Sequence, residues 1–113
     1  MPKFSGPYKL SMKIVSATLD RSTDMMGKMD PYVVVDFFRG ASAPRRWKGP
    51  THKGGHKAPI WNWDTEFYYG GDVNGASNES VKFTVFEEDL TSSDLVGETA
   101  PIPINLFAGQ GLK

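Results

Sequence analysis

The sequence predicts an all-β protein, a single antiparallel β-sandwich. Three observations carry this. Twelve glycines and eight prolines are dispersed along 113 residues and punctuate short apolar runs about ten residues apart. Several of those runs alternate apolar and polar residues with period two. No stretch carries the 3.6-residue periodicity of an amphipathic helix. The length suits one domain, residues 1–113, with one core.

Each element follows in order. Leu10-Ser-Met12-Lys-Ile14 alternates and reads as a half-buried strand. Tyr32–Phe38, rich in valine and phenylalanine, reads as a second. A weaker third spans Arg45–Thr51. The fourth centres on Phe67-Tyr68-Tyr69, led in by Trp61 and Trp63, and closes at Gly70-Gly71. In the fifth, Val81, Phe83 and Val85 alternate with Lys82 and Thr84. The sixth, Val96–Ile104, contains Pro101 and Pro103, which cannot donate ladder hydrogen bonds, so it belongs at an edge or is irregular. Leu106-Phe107 has room for one helical turn at most.

Composition narrows the function classes. There are no cysteines, which excludes disulfides and thiolate metal sites. The apolar runs are too short to span a bilayer, and Met1–Pro7 lacks the apolar centre of a signal peptide, so a cytoplasmic setting is expected. The net charge is zero but polarised. Arg45, Arg46, Lys48, Lys53 and Lys57 form a basic stretch without acids; Glu87, Glu88, Asp89, Asp94 and Glu98 form an acidic one without bases. His52 and His56 are spaced His-x-x-x-His, but in a glycine-rich loop and without an adjacent glutamate, so they do not make a metalloprotease site. Neither a Gly-x-Ser-x-Gly elbow nor a phosphate loop is present. The chain is therefore read as a non-enzyme. A small basic patch without alternating stacking aromatics argues against nucleic acid as a partner.

The carboxylates carry the chemistry. Asp24 and Asp30 flank the loop between the first two strands, and Glu87, Glu88, Asp89 and Asp94 are assigned to the loop between the fifth and sixth. Clustered carboxylates repel unless a cation neutralises them. An all-oxygen set favours calcium. Solvated loop acids are the plain alternative.

Four motifs sharpen this choice. Asp24 to Val33 follows Asp-x-x-Gly-x-x-Asp-Pro-Tyr-Val; Ala58-Pro-Ile-Trp-Asn62 is close to Asn-Pro-x-Trp-Asn; Val85-Phe-Glu-Glu-Asp89 is close to Val-x-Asp-x-Asp; and Asp94-Leu-Val-Gly-Glu98 follows Asp-x-hydrophobic-Gly-Glu. Together, over about residues 10–106, the chain resembles a C2 domain. The resemblance implies a Greek-key sandwich of eight strands. It implies calcium held by Asp24, Asp30, Glu87, Asp89 and Asp94, with the main-chain carbonyls of Thr23 and Glu88. Glu87 departs from the usual aspartate, and the segment from Asp89 to Asp94 is one residue short. The first matched strand resembles the start of the family's circularly permuted topology. That leads us to expect the final strand or strands to be missing, since Leu106–Lys113 is too short to supply them.

The resemblance also implies partners: anionic phospholipid membranes, through phosphatidylserine or phosphoinositides, with peripheral association when calcium rises. Met25, Met26 and Leu90 would enter the lipid interface from the loop tips. Arg45, Arg46, Lys48 and Lys53 would contact headgroups. Met29 is expected to pack inward beside Pro31, and Trp63 is a candidate core tryptophan. The rival reading is a calcium-independent module that binds a protein or a phosphoinositide.

Overall fold

A computed structural model describes residues 8–20, 28–40, 42–70, 79–88 and 93–106. They form seven strands: β1 (Tyr8–Ser16), β2 (Pro31–Arg39), β3 (Arg45–Thr51), β4 (Ile60–Tyr69), β5 (Glu79–Glu88), β6 (Ser93–Glu98) and β7 (Ile102–Pro103). A single 3-10 turn follows at Ile104–Leu106. All pairings are antiparallel. One sheet holds β1 and β4. The other runs β3-β2-β5-β6, with β7 beside β5. The all-β sandwich expected from the sequence is thus observed, with seven strands among the described residues.

The alternation sets which side chains meet. In β5 the inner row is Val81, Phe83, Val85 and Glu87; in β2 it is Val33, Val35 and Phe37. Phe67 of β4 lies against Phe37, ring centroids 4.8 Å apart, and against Trp47 of β3 at 5.5 Å. Leu10, Met12 and Ile14 of β1 pack on this cluster from the same side as β4. A second cluster, Met29, Val33, Trp61, Val85 and Val96, fills the end near Asp30. Met29 is fully buried, as expected.

Two sequence expectations resolve differently. Trp61 and Trp63 both face the core. A bulge, where Ser16 pairs with Ile60 but Ile14 with Trp63, carries Asn62 at φ 49°. A left-handed residue there absorbs the extra length of β4. Trp61 is buried, its indole N–H donating to the Pro31 carbonyl (3.1 Å), and Trp63 touches both clusters.

The predicted strand Val96–Ile104 is interrupted at Thr99–Pro101. Pro101 has no amide to donate. Thr99 spans the break: its N–H donates to the Phe83 carbonyl (2.9 Å) and its Oγ1 accepts from the Phe83 N–H (3.1 Å). Its hydroxyl thus replaces a lost ladder partner.

The end of the sandwich away from Asp30 is closed by a buried acid. Glu79 has no solvent exposure. Its Oε2 accepts from Arg39 Nε (2.7 Å) and its Oε1 from the Gly70 N–H (2.9 Å), which joins β5, the end of β2 and the end of β4. Removing one member strands the other groups without a partner in a poorly solvated site.

Two stability outcomes follow. Glu79→Ala should lower unfolding free energy by about 3–5 kcal/mol, measured by urea denaturation. Gly49→Ala should cost about 1–3 kcal/mol, because a Cβ there would lie 2.6 Å from Trp63 Cε3. Wild-type midpoints for these variants would contradict the packing described.

Candidate functional site

The antiparallel order brings three strand ends together: the start of β2, the end of β5 and the start of β6. Pro31 is in register with Glu87, and Glu87 with Asp94. The Glu88 N–H donates to the Asp30 carbonyl (3.0 Å), extending the β2–β5 ladder one residue beyond the strand. Asp30, Glu87, Glu88 and Asp94 therefore share one end of the five-stranded sheet. Glu87, Glu88 and Asp94 were expected in a loop; instead Glu87 and Glu88 end β5 and Asp94 lies inside β6. The correction has a simple cause. Ladder pairing of Glu87 with Asp94 and of Glu88 with Ser93 continues to the strand tips, which loop-like composition concealed.

Strand parity then sorts the acids. Glu87 points between the sheets and is buried; Asp94, directly opposite, shares that face and is half-buried. Glu88 points the other way, where its carboxylate lies 4.0 Å from Lys48 Nζ. The donors are all oxygen, the chemistry of a hard cation. Among the described residues no three His, Cys, Asp or Glu side chains are grouped to hold a metal ion. Thr23, Asp24, Met25, Met26, Asp89 and Leu90 lie outside the described residues.

Asp30 is held by the segment joining β3 to β4. Its Oδ1 accepts from the Gly54 N–H (2.7 Å), at a turn where Gly54 has φ 73°. His56 grips the preceding residue twice: its N–H donates to the Met29 carbonyl (3.0 Å), and its Nδ1 accepts from the Met29 N–H (3.2 Å). The His52 N–H donates to the Pro31 carbonyl (2.9 Å), while His52 Nδ1 accepts from the Ile60 N–H (2.9 Å). Both imidazoles thus use Nδ1 as acceptors for the main chain. Sequence reasoning weighed the pair only as a metalloprotease motif and set it aside. The signal available was only their position in the turn between two strands, beside strand entrances whose amides need acceptors.

The basic residues divide rather than forming one groove. Arg46 and Lys48 point from the outer face of β3. Arg46 makes a two-pronged pair with the buried Asp36 (2.7 and 3.0 Å), and this hydrogen bonding raises the guanidinium pKa above its ordinary value. Lys48 lies over the Tyr32 ring at 4.5 Å. Tyr32 in turn stacks on Phe86 at 5.7 Å. Arg45 lies over Trp47, a core side chain, and Lys53 is exposed in the β3–β4 turn beside Gly54.

The sequence pattern of the C2 domain matches residues 8–110. The chain belongs to the C2 domain family, whose members are membrane- and lipid-binding modules. Synaptotagmin-4 of Arabidopsis thaliana is 36% identical over 98 residues, 86% of this chain but only 16% of that protein. The chain therefore spans about one-sixth of that relative's length.

Among solved structures, a C2 domain-containing protein from a putative elicitor-responsive gene is 28% identical, with a TM-score of 0.59, covering 93% of this chain and 71% of that one. A C2 domain of plant Extended Synaptotagmin 1 has a TM-score of 0.66 at 18% identity, covering 86% and 69%, respectively. Human GIVD cytosolic phospholipase A2 has a TM-score of 0.69 at 20% identity; 89% of this chain aligns to 14% of that enzyme, its C2 part. These last two likenesses establish the fold, and the phospholipase match carries no catalysis to this chain. No helix among the described residues is long and apolar enough to cross a membrane.

The two oxygens of Asp30 permit a clean separation of roles. In calcium-free buffer, Asp30→Ala should lose about 1–3 kcal/mol of stability through the orphaned Gly54 amide, whereas Asp30→Asn, which keeps an acceptor oxygen, should lose less than about 1 kcal/mol. Thermal melts of the two variants check this.

Proposed function

We propose that this C2 domain is a calcium-dependent phospholipid-binding module. The observation that carries the reading is the shared position of Asp30, Glu87 and Asp94 at one end of the sheet, fixed by the Pro31–Glu87–Asp94 register and the Glu88-to-Asp30 hydrogen bond. Asp24 and Asp89, with the carbonyls of Thr23 and Glu88, would complete the ligand set. Bound calcium supplies positive charge and open coordination positions for lipid phosphate. Buried Glu87 and half-buried Asp94 supply charge on the inner face. Asp30, with one oxygen held by Gly54, presents the other from a fixed direction.

Without a cation these acids repel an anionic bilayer; neutralised, they do not. Met25, Met26 and Leu90 would then enter the interface, each side chain contributing at most about 1.5–3 kcal/mol. Arg46 and Lys48 would meet phosphatidylserine or phosphoinositide headgroups on the outer face of β3, each exposed cation adding about 1 kcal/mol near an anionic surface. Such a module would work at the cytoplasmic face of a membrane.

One observation favours the calcium-independent alternative. Asp30, a proposed calcium ligand, already has a protein partner in the Gly54 N–H. A protein or phosphoinositide partner would then read the outer face of β3 directly.

Liposome co-sedimentation with phosphatidylserine separates the readings. Wild-type protein should pellet with calcium and stay in solution with chelator. Asp30→Asn and Asp89→Asn should abolish the calcium-dependent fraction, and millimolar calcium should raise the melting temperature of wild type alone. Lys48→Ala should weaken, not abolish, binding. Equal pelleting of all proteins with and without calcium would establish the alternative.

A further inference from the structure

Arg46, Lys48 and Lys82, on the outer face of the five-stranded sheet, each have an acid within 4.0 Å: Asp36, Glu88 and Glu98. The turn between β3 and β4 differs. It carries His52, Lys53, His56 and Lys57 around Gly54 and Gly55, with no acid among them. Lys53 and Lys57 are exposed, and neither makes an ion pair among the described residues. The histidines add direction to that charge. A main-chain N–H can only donate, so the Nδ1 atoms facing the Ile60 and Met29 amides present lone pairs. Each neutral imidazole therefore keeps its proton on Nε2. The two ring nitrogens point nearly opposite ways, so anchoring Nδ1 against a strand entrance turns Nε2–H outward. Among the described residues neither Nε2 has a hydrogen-bond partner, and neither is shut off from solvent. The turn is braced internally: the Gly55 N–H donates to the His52 carbonyl and the Ala58 N–H to the Gly55 carbonyl, both at 3.0 Å. A Cβ built on Gly54 would meet nothing within 4 Å, so the space over the tip is open.

We propose that the β3–β4 turn is a phosphate-binding site, in which His52 and His56 donate from Nε2 and Lys53 and Lys57 supply the charge. Donors held in one protonation pattern, beside two unpaired ammonium groups, suit an acceptor-only anion. A metal ion does not fit, because Nε2 carries a proton and the Nδ1 lone pairs are engaged. The ligand is the phosphate of a lipid headgroup or of a small soluble ester. The turn shares its pole with Asp30, whose Oδ1 accepts from the Gly54 N–H. That carboxylate opposes an anion, and Lys28, exposed beside Met29, offsets it in part. Calcium at Asp30 would cancel the opposition and carry lipid phosphates to the turn. The lipid source rests on the calcium reading above; the phosphate site itself does not.

The test uses the whole chain, first with chelator so that the calcium site plays no part. Above neutral pH, proton–nitrogen correlation spectra of the rings should show both imidazoles protonated at Nε2 alone. Added glycerol phosphate should shift the His52 and His56 ring signals and the Lys53 and Lys57 amides saturably, where sodium chloride of equal ionic strength does not. The double variant Lys53→Ala with Lys57→Ala removes two exposed, unpaired side chains and should fold normally. It should lose most of the glycerol phosphate response. With calcium, it should bind phosphatidylserine vesicles about tenfold more weakly than wild type. A lost glycerol phosphate response with unchanged vesicle affinity assigns the site to soluble esters. The proposal is overturned if Nδ1 carries the ring proton, if chloride reproduces the shifts, or if the double variant responds to glycerol phosphate as wild type does. Vesicles that fail to bind with calcium would sink the lipid reading, while the chelator titration still decides the turn.

Discussion

The burial of β2 on both faces and both edges governs the rest of the fold. Seven consecutive residues, Pro31–Phe37, are buried, and the strand is paired on both sides, by β3 and by β5. A strand in that position has no solvent to satisfy its backbone, so its register on both neighbours is strictly specified. That register carries Asp30 to Glu88 at one end and Arg39 to Glu79 at the other. The candidate site and the clamp at the far end are consequences of one strand's placement.

A charge within β2 then determines what its neighbours are free to do. Asp36 is 4% exposed in mid-strand. Burying a carboxylate is costly unless it is paired and hydrogen-bonded. Arg46, across the ladder, satisfies both oxygens. The same arginine is a candidate lipid contact, so its fork is already engaged by the fold. Lys48 differs: a 4.0 Å approach to Glu88 at an exposed site is weak, and its place over Tyr32 keeps it on the outer face.

The β3–β4 segment plays a part comparable to the sheet itself. Through Gly54, His52 and His56 it holds Met29, Asp30 and Pro31 in place. The entrance to β2 is thereby fixed from outside the ladder. Changes in this segment act on Asp30 without altering any carboxylate. Asp30 itself joins a structural role, through Oδ1, to a proposed ligand role, and the alanine and asparagine variants differ for that reason.

The strand class of β1 to β5 was legible in the linear chain, because period-two alternation and valine- and aromatic-rich runs report burial on one or both faces. So was the family, since four motifs in order are specific where any one is weak. The chain did not reveal where Glu87 and Asp94 sit, because acids at strand tips have the composition of a loop. The break at Thr99–Pro101 was foreshadowed by proline, but the Thr99 hydroxyl bridging it emerged with the fold. Arg45, Arg46, Lys48 and Lys53 read as one basic stretch in a linear chain. Strand parity and the turn sent them to different faces, and the buried Asp36 claimed Arg46.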